Sequence, residues 1–107
     1  MIESSRYEEI IASIAGVAAY KVEGVASLSA QPGARHKSKK RAPKSVLVRL
    51  TPDGRAEIDI FVNAYSGASV PDLSYDIQKI VTEEVENATR FKIKSVNINV
   101  TGIVFHE

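Results

Sequence analysis

Between Ala56 and Thr89 two hydrophobic periods stand back to back. From Ala56 to Tyr65 the residues Ile58, Ile60, Val62 and Ala64 fall on one side. Glu57, Asp59, Phe61, Asn63 and Tyr65 fall on the other. That two-residue period belongs to a half-buried strand. A Ser-Gly-Ala-Ser loop and Val70-Pro71 follow. Leu73, Ile77, Ile80, Val81, Val85 and Ala88 then recur at three- and four-residue spacing, the period of an amphipathic helix. A strand and a helix that each carry one apolar side can bury each other. The rest of the chain is read as completing that pair.

Upstream, Val46, Val48 and Leu50 alternate with Leu47, Arg49 and Thr51, which predicts a strand over 45–51. Thr51-Pro52-Asp53-Gly54 predicts the turn that joins it to strand 56–65 as an antiparallel hairpin, with Gly54 at the positive φ. Pro71 suits the first turn of the helix, and the helix is expected to stop near Thr89. Downstream, Val96, Ile98 and Val100 alternate with Ser95, Asn97, Asn99 and Thr101 in a last strand over 93–105, with a bulge expected at Gly102. Because a helix joins strand 56–65 to this strand, the two are expected to run parallel. The sequence leaves the last strand a place beside strand 56–65, the sequential order and the one preferred, or beside strand 45–51. Near the start, Ser5-Arg6-Tyr7-Glu8 has the form of a capping box. Tyr7, Ile10, Ile11, Ile14, Ala15, Ala18 and Val22 continue it as a helix over about 5–22, with Tyr7 in the core. Gly24 is the expected left-handed residue just past its end. Val25–Leu28 reads as a short extended piece. Arg49, Asp59, Asn63, Asn97 and Asn99 make the other side of the sheet too polar to carry helices. The expected fold is therefore an α+β two-layer sandwich of order α-β-β-α-β, with two helices on one face of a three-stranded mixed sheet.

A chain of 107 residues is read as a single domain, 1–107. Its net charge of +1 conceals an uneven distribution. Residues 29–44 hold Arg35, Lys37, Lys39, Lys40, Arg41 and Lys44 and no acid, while the remainder carries 8 basic and 13 acidic residues, a net of −5. The largest apolar side chains in 29–44 are alanines, too little to offset the entropy of ordering, so a mobile basic loop is expected there. The absence of cysteine fits a reducing compartment. There is no apolar run of about 18 residues to span a bilayer, and MIESSRYEE is too acidic and polar for a secretory signal. The expected location is cytoplasmic.

The motifs carry little chemistry. The two histidines, His36 and His106, lie in the basic segment and beside the terminus, without metal-ligand spacing and without a placed serine or threonine nucleophile. Glu83, Glu84 and Glu86 read as a solvated helix face. The glycines are isolated, so no phosphate-cradling loop is present. No catalytic residue, cofactor, metal or small-molecule substrate is expected. Two surfaces remain. One is a polyanion-binding set formed by Arg35, Lys37, Lys39, Lys40, Arg41 and Lys44, suited to anionic lipid or nucleic acid. The other is a protein-docking face formed by Phe61, Asn63, Tyr65, Asn97 and Asn99, where two aromatics stand in a polar field.

Three motifs in order bear a resemblance to a known family. They are V-x-G-V at Val22–Val25 followed by Leu28, I-D-I-x-V-x-x-Y from Ile58 to Tyr65 with Gly67, Val70-Pro71, Ile77-Gln78, Val81 and Val85-Glu86, and V-N-I-x-V-x-G-I from Val96 to Ile103. Together they resemble the alkaline shock protein family, the small envelope stress response proteins of Gram-positive bacteria. The likeness covers nearly the whole chain outside 29–44. It implies a non-enzymatic cytoplasmic protein that self-associates, is held at the inner face of the membrane by a small membrane-protein partner, and serves cell-envelope homeostasis. Two departures stand. Ser66 intervenes between Tyr65 and Gly67 where the family has Tyr-Gly, and Thr89-Arg90-Phe91 replaces its Thr-Gly-Leu turn. The alternative reading is a small RNA- or DNA-binding module that uses residues 35–44.

Overall fold

The computed structural model describes residues 2–29 and 45–105. Their elements are α1 (Ile2–Tyr20), β1 (Val25–Leu28), β2 (Val46–Leu50), β3 (Arg55–Tyr65), α2 (Val70–Ala88) and β4 (Lys92–Val104). The α+β class holds, and the strand count changes from three to four. The order is α-β-β-β-α-β.

β3 is the strand to which the others attach. β2 pairs with it antiparallel from Val46↔Ile60 to Leu50↔Ala56. β4 pairs with it parallel along its whole length, from Arg55↔Lys92 to Tyr65↔Val104. β2 is too short to reach the upper part of β3. The extended piece Val25–Leu28 fills that place as β1, antiparallel, with Val25↔Ala64 and Leu28↔Val62. Main-chain groups of β3 that β2 leaves open are thereby paired, which is the physical reason for the fourth strand. β1 and β2 lie end to end along one side of β3, and β4 lies along the other. Of the two places open to the last strand, it takes the one beside strand 56–65, in sequential order.

One side of this sheet meets both helices. Ile58, Ile60, Val62 and Ala64 of β3 are fully buried with Ile11, Ala15, Ala18 and Ala19 of α1 and Ile77, Val81 and Val85 of α2. α2 starts where its capping chemistry directs it: the Ser69 hydroxyl accepts from the Asp72 N–H at 3.4 Å, and Pro71 sits in the first turn. Thr89 ends it.

α1 departs from expectation at both ends. It begins at Ile2, so Ser5 stands inside the helix and its capping box does not start it. It ends at Tyr20, where Lys21 and Val22 N–H groups reach back three residues to Ala18 and Ala19 at 3.1 and 3.2 Å. Such tighter bonds close a helix early. Gly24 then turns the chain with φ of 104°. Tyr7 is not in the core. It is about half exposed and packs edge-on against Phe91, with ring centroids 5.5 Å apart. At the other turn, Gly54 has φ of 82° and donates to Thr51 O at 3.1 Å, as the hairpin reading required.

Candidate functional site

Alternation along β3 presents Glu57, Asp59, Phe61, Asn63 and Tyr65 on the side away from the helices, with Asn97 beside Asp59 and Asn99 beside Phe61 on β4. The structure thus brings the five expected docking residues onto one face. It also shows that most of their polar groups are engaged within the sheet. Asn97 Nδ2 donates to Asp59 Oδ1 at 2.9 Å, and Asn63 Nδ2 donates to Ser27 Oγ at 3.1 Å. Asn99 Nδ2 reaches Ile60 O at 3.5 Å. Phe61 is only 9 % exposed, so its ring is not offered to a partner. Tyr65 is the exposed aromatic of the set. Its register partner Val104 shares its face and is also exposed, and Phe105 follows. That apolar corner at the end of β3 and β4 escaped the sequence reading, because Val104 and Phe105 come after the break in alternation at Gly102. The register shift there lies between Val62 and Asn63 of β3, opposite Val100 and Gly102, and leaves Thr101 bulged.

The charged part of this face is a transverse row. Glu57 of β3 receives the Arg49 guanidinium of β2 on Oε1 and the Lys94 ammonium of β4 on Oε2 at 3.3 Å. The hydrogen bond from Arg49, then that from Lys94, holds the Glu57 carboxyl below the ordinary glutamate value. In the hairpin turn, the Thr51 hydroxyl and then Arg55 lower Asp53 in the same sense. The Glu57 ties cross strands and the Asp53 ties lie within the turn; each has at least one partner open to solvent and is worth little.

Among the described residues no polar or charged side chain is buried, and no group of three His, Cys, Asp or Glu side chains could hold a metal ion. None of their helices is long and apolar enough to cross a membrane. The polyanion-binding set Arg35, Lys37, Lys39, Lys40, Arg41 and Lys44, and the mobile loop expected around it, lie outside the described residues beyond Ser29.

A second surface is built by α1 and the outer side of β2. Val17 and Tyr20 stand out from α1 at 61 % and 60 % exposure. Together with Ala12, Gly16, Leu28 and Val46 they line an open groove of about 780 Å³. The sequence signal for it was present in α1, which carries apolar residues on more of its circumference than one buried stripe requires.

Three comparisons bear on this geometry. Residues 3–105 match the profile of the alkaline shock protein 23 family, described by its cell envelope-related function. A protein of Streptococcus pyogenes, the uncharacterized protein Spy1535, is 37 % identical over 95 residues, covering 89 % of this chain and 74 % of its own length. Uncharacterized protein YqhY of Bacillus subtilis is 33 % identical over 100 residues, covering 91 % and 73 %. Among solved structures, the MamM CTD in a manganese form superposes with a TM-score of 0.53 over 88 % of this chain and 96 % of that one, at 16 % identity. A nickel form gives 0.51 over 92 % and 99 %. At that identity the likeness is one of fold.

Proposed function

This chain belongs to the alkaline shock protein 23 family, whose function is related to the cell envelope, and from that premise we propose that it is a non-enzymatic envelope-homeostasis protein working through protein–protein contacts. In this reading it self-associates and is held at the cytoplasmic face of the membrane by a small membrane-protein partner. The observation that carries the proposal is the family match from residue 3 to residue 105, which takes in every element of the fold. The geometry supports it in kind. Enzymes place titratable groups in desolvated, converging positions. Here the two perturbed carboxyls are Glu57 on the open sheet face, tied to both neighbouring strands, and Asp53 in the hairpin turn, tied to Arg55 two residues on. What the described surface offers instead is apolar area at Tyr65, Val104 and Phe105 and along α1.

The membrane contact is indirect or electrostatic in this proposal, because the described helices supply no span. The nucleic-acid alternative gains no support from the family match.

The test is cell fractionation of the tagged full chain, paired with sedimentation of the purified protein. Recovery in the membrane pellet from cells, together with no binding of the pure protein to neutral liposomes at high salt, is the expected pair. Tight binding of the pure protein to those liposomes would overturn the indirect attachment. A strictly monomeric protein at every concentration tested would overturn self-association.

A further inference from the structure

The sheet has two outer edges of different make. β4 is interrupted by two register shifts, which leave Lys94 and Thr101 bulged, and it carries Lys92 as well. Bulges and lysines are the devices by which a free edge refuses another strand. β2 has neither: its ladder with β3 runs unbroken from Val46 to Leu50, and its sequence is Val-Leu-Val-Arg-Leu. Ser45 O accepts from Phe61 N–H, and Thr51 N–H donates to Arg55 O. Odd-numbered residues of this stretch therefore bond to β3, and alternation turns the N–H and C=O groups of Val46, Val48 and Leu50 outward. Among the described residues no strand pairs with them.

The groove under α1 runs along this edge. At Gly16 the helix stands close to β1 and β2: a Cβ there would make ordinary contact with Leu28 Cδ1 at 3.4 Å and Val46 Cγ2 at 3.7 Å. Glu8 and Glu9 line the same groove, and among the described residues no basic side chain does.

We propose that this groove is a strand-addition site: it takes an extended peptide segment of a partner protein, with apolar side chains at alternate positions and Lys or Arg among them, as a further strand on β2. The open N–H and C=O groups supply the main-chain bonds, and the alternate apolar side chains enter between α1 and the edge. The acidic pair, unopposed by any base among the described lining residues, selects the cationic partner. The site depends on the protein-contact reading only for the class of partner, and its test reads the edge directly, so failure of self-association or of membrane recruitment leaves it standing.

The experiment titrates the ¹⁵N-labelled full chain with two synthetic peptides, acetyl-Lys-Val-Ser-Val-Lys-Val-amide and its counterpart with Glu for Lys. The expected result is that the cationic peptide shifts the amides of Val46, Val48 and Leu50 together with the α1 residues of the groove, and slows exchange of the Val48 N–H. Glu8→Lys with Glu9→Lys should invert the preference between the two peptides by about tenfold or more, the ratio expected for a charge-assisted contact. Val48→Pro removes an outward N–H without touching the β2–β3 ladder. It should abolish binding while circular dichroism and Tm confirm the fold. If that variant does not fold, the charge-reversal pair decides. Shifts that map elsewhere, no saturable binding below millimolar peptide, equal binding of both peptides, or unchanged binding by folded Val48→Pro would overturn the proposal. So would concentration-dependent protection of the Val46 and Val48 amides in the chain alone, because the occupant would then be a second copy.

Discussion

Ser29 and Ser45 share one partner on the central strand. The Ser29 N–H donates to Phe61 O at 2.8 Å, and Ser45 O accepts from the Phe61 N–H at 2.9 Å. In an ordinary antiparallel ladder a single residue makes both of those bonds. Here two residues far apart in sequence divide one slot, since Leu28 stands opposite Val62 and Val46 opposite Ile60. β1 and β2 are thus the two halves of one edge strand, left at Ser29 and rejoined at Ser45. Deleting residues 30–45, so that Ser29 is followed directly by Val46, should yield one continuous strand in which Ser29 makes both bonds. Calorimetry should find the domain folded with Tm within a few degrees of the full chain, because loop length enters closure entropy only logarithmically. Loss of cooperative unfolding in the deletion variant would refute the split-strand reading. The deletion also removes all six basic side chains of 35–44, so heparin binding that survives it would have to come from another surface.

Ile60 and Ile77 are both fully buried, one from β3 and one from α2. They lie in the same core between sheet and helices. Replacing either with Ala should cost ~2–5 kcal/mol in chemical denaturation, as loss of buried methyl groups with partial collapse does. A loss below about half a kcal/mol, the level of an ordinary surface substitution, would mean that the strand or the helix has the wrong face inward.

Those two residues also show what was legible in the sequence. β3 and α2 announce themselves because each has a single period long enough to fix its face, and the chain places them next to one another. β1 did not announce itself as a sheet strand. Its four residues have no period to read, and its partner is fixed by the space that β2 leaves on β3. Phe61 was misjudged for a related reason: parity assigns it to the polar face, but exposure depends on what lies over it. The start of α1 was misplaced because Ser5-Arg6-Tyr7-Glu8 satisfies the capping pattern without being at the helix end. The groove beside α1 is legible only in the surplus of apolar residues on that helix, since the groove itself forms where the helix approaches an edge that no described strand pairs.

Acid should weaken one identifiable contribution. In the folded chain the Glu57 carboxyl titrates below its ordinary value of 4.5, first because of Arg49 and then because of Lys94. A depressed folded pKa means that the ionised form is favoured by folding. The stabilisation is then complete above the unfolded pKa and is lost as pH falls through the folded one. The stability difference between the wild type and Glu57→Gln should therefore be constant above pH 4.5 and shrink below it. Urea midpoints for both proteins across the acid range test this. A difference that stays flat down to the acid transition would show that the row of Arg49, Glu57 and Lys94 contributes nothing through ionisation.

The bulge in β4 makes a last, sharper claim. Gly102 does not have a positive φ, so backbone freedom is not the reason for glycine there. The reason is space: a Cβ would stand 2.6 Å from Asn63 Oδ1, well inside contact distance. Asn63 is held in that position by its bond to Ser27 Oγ. Gly102→Ala should therefore displace Asn63 and cost about 1–2 kcal/mol, the scale of mild overpacking. Asn63→Ala should cost about 1 kcal/mol through loss of its bond to Ser27. The two changes act on the same contact, so together they should cost less than the two separate losses added, with a coupling of at least ~0.5 kcal/mol. The measurement is a double-mutant cycle by urea denaturation. If the effects add within ~0.3 kcal/mol, as they do for independent sites, the clash is not what selects glycine at position 102, and the bulge is held by something other than Asn63.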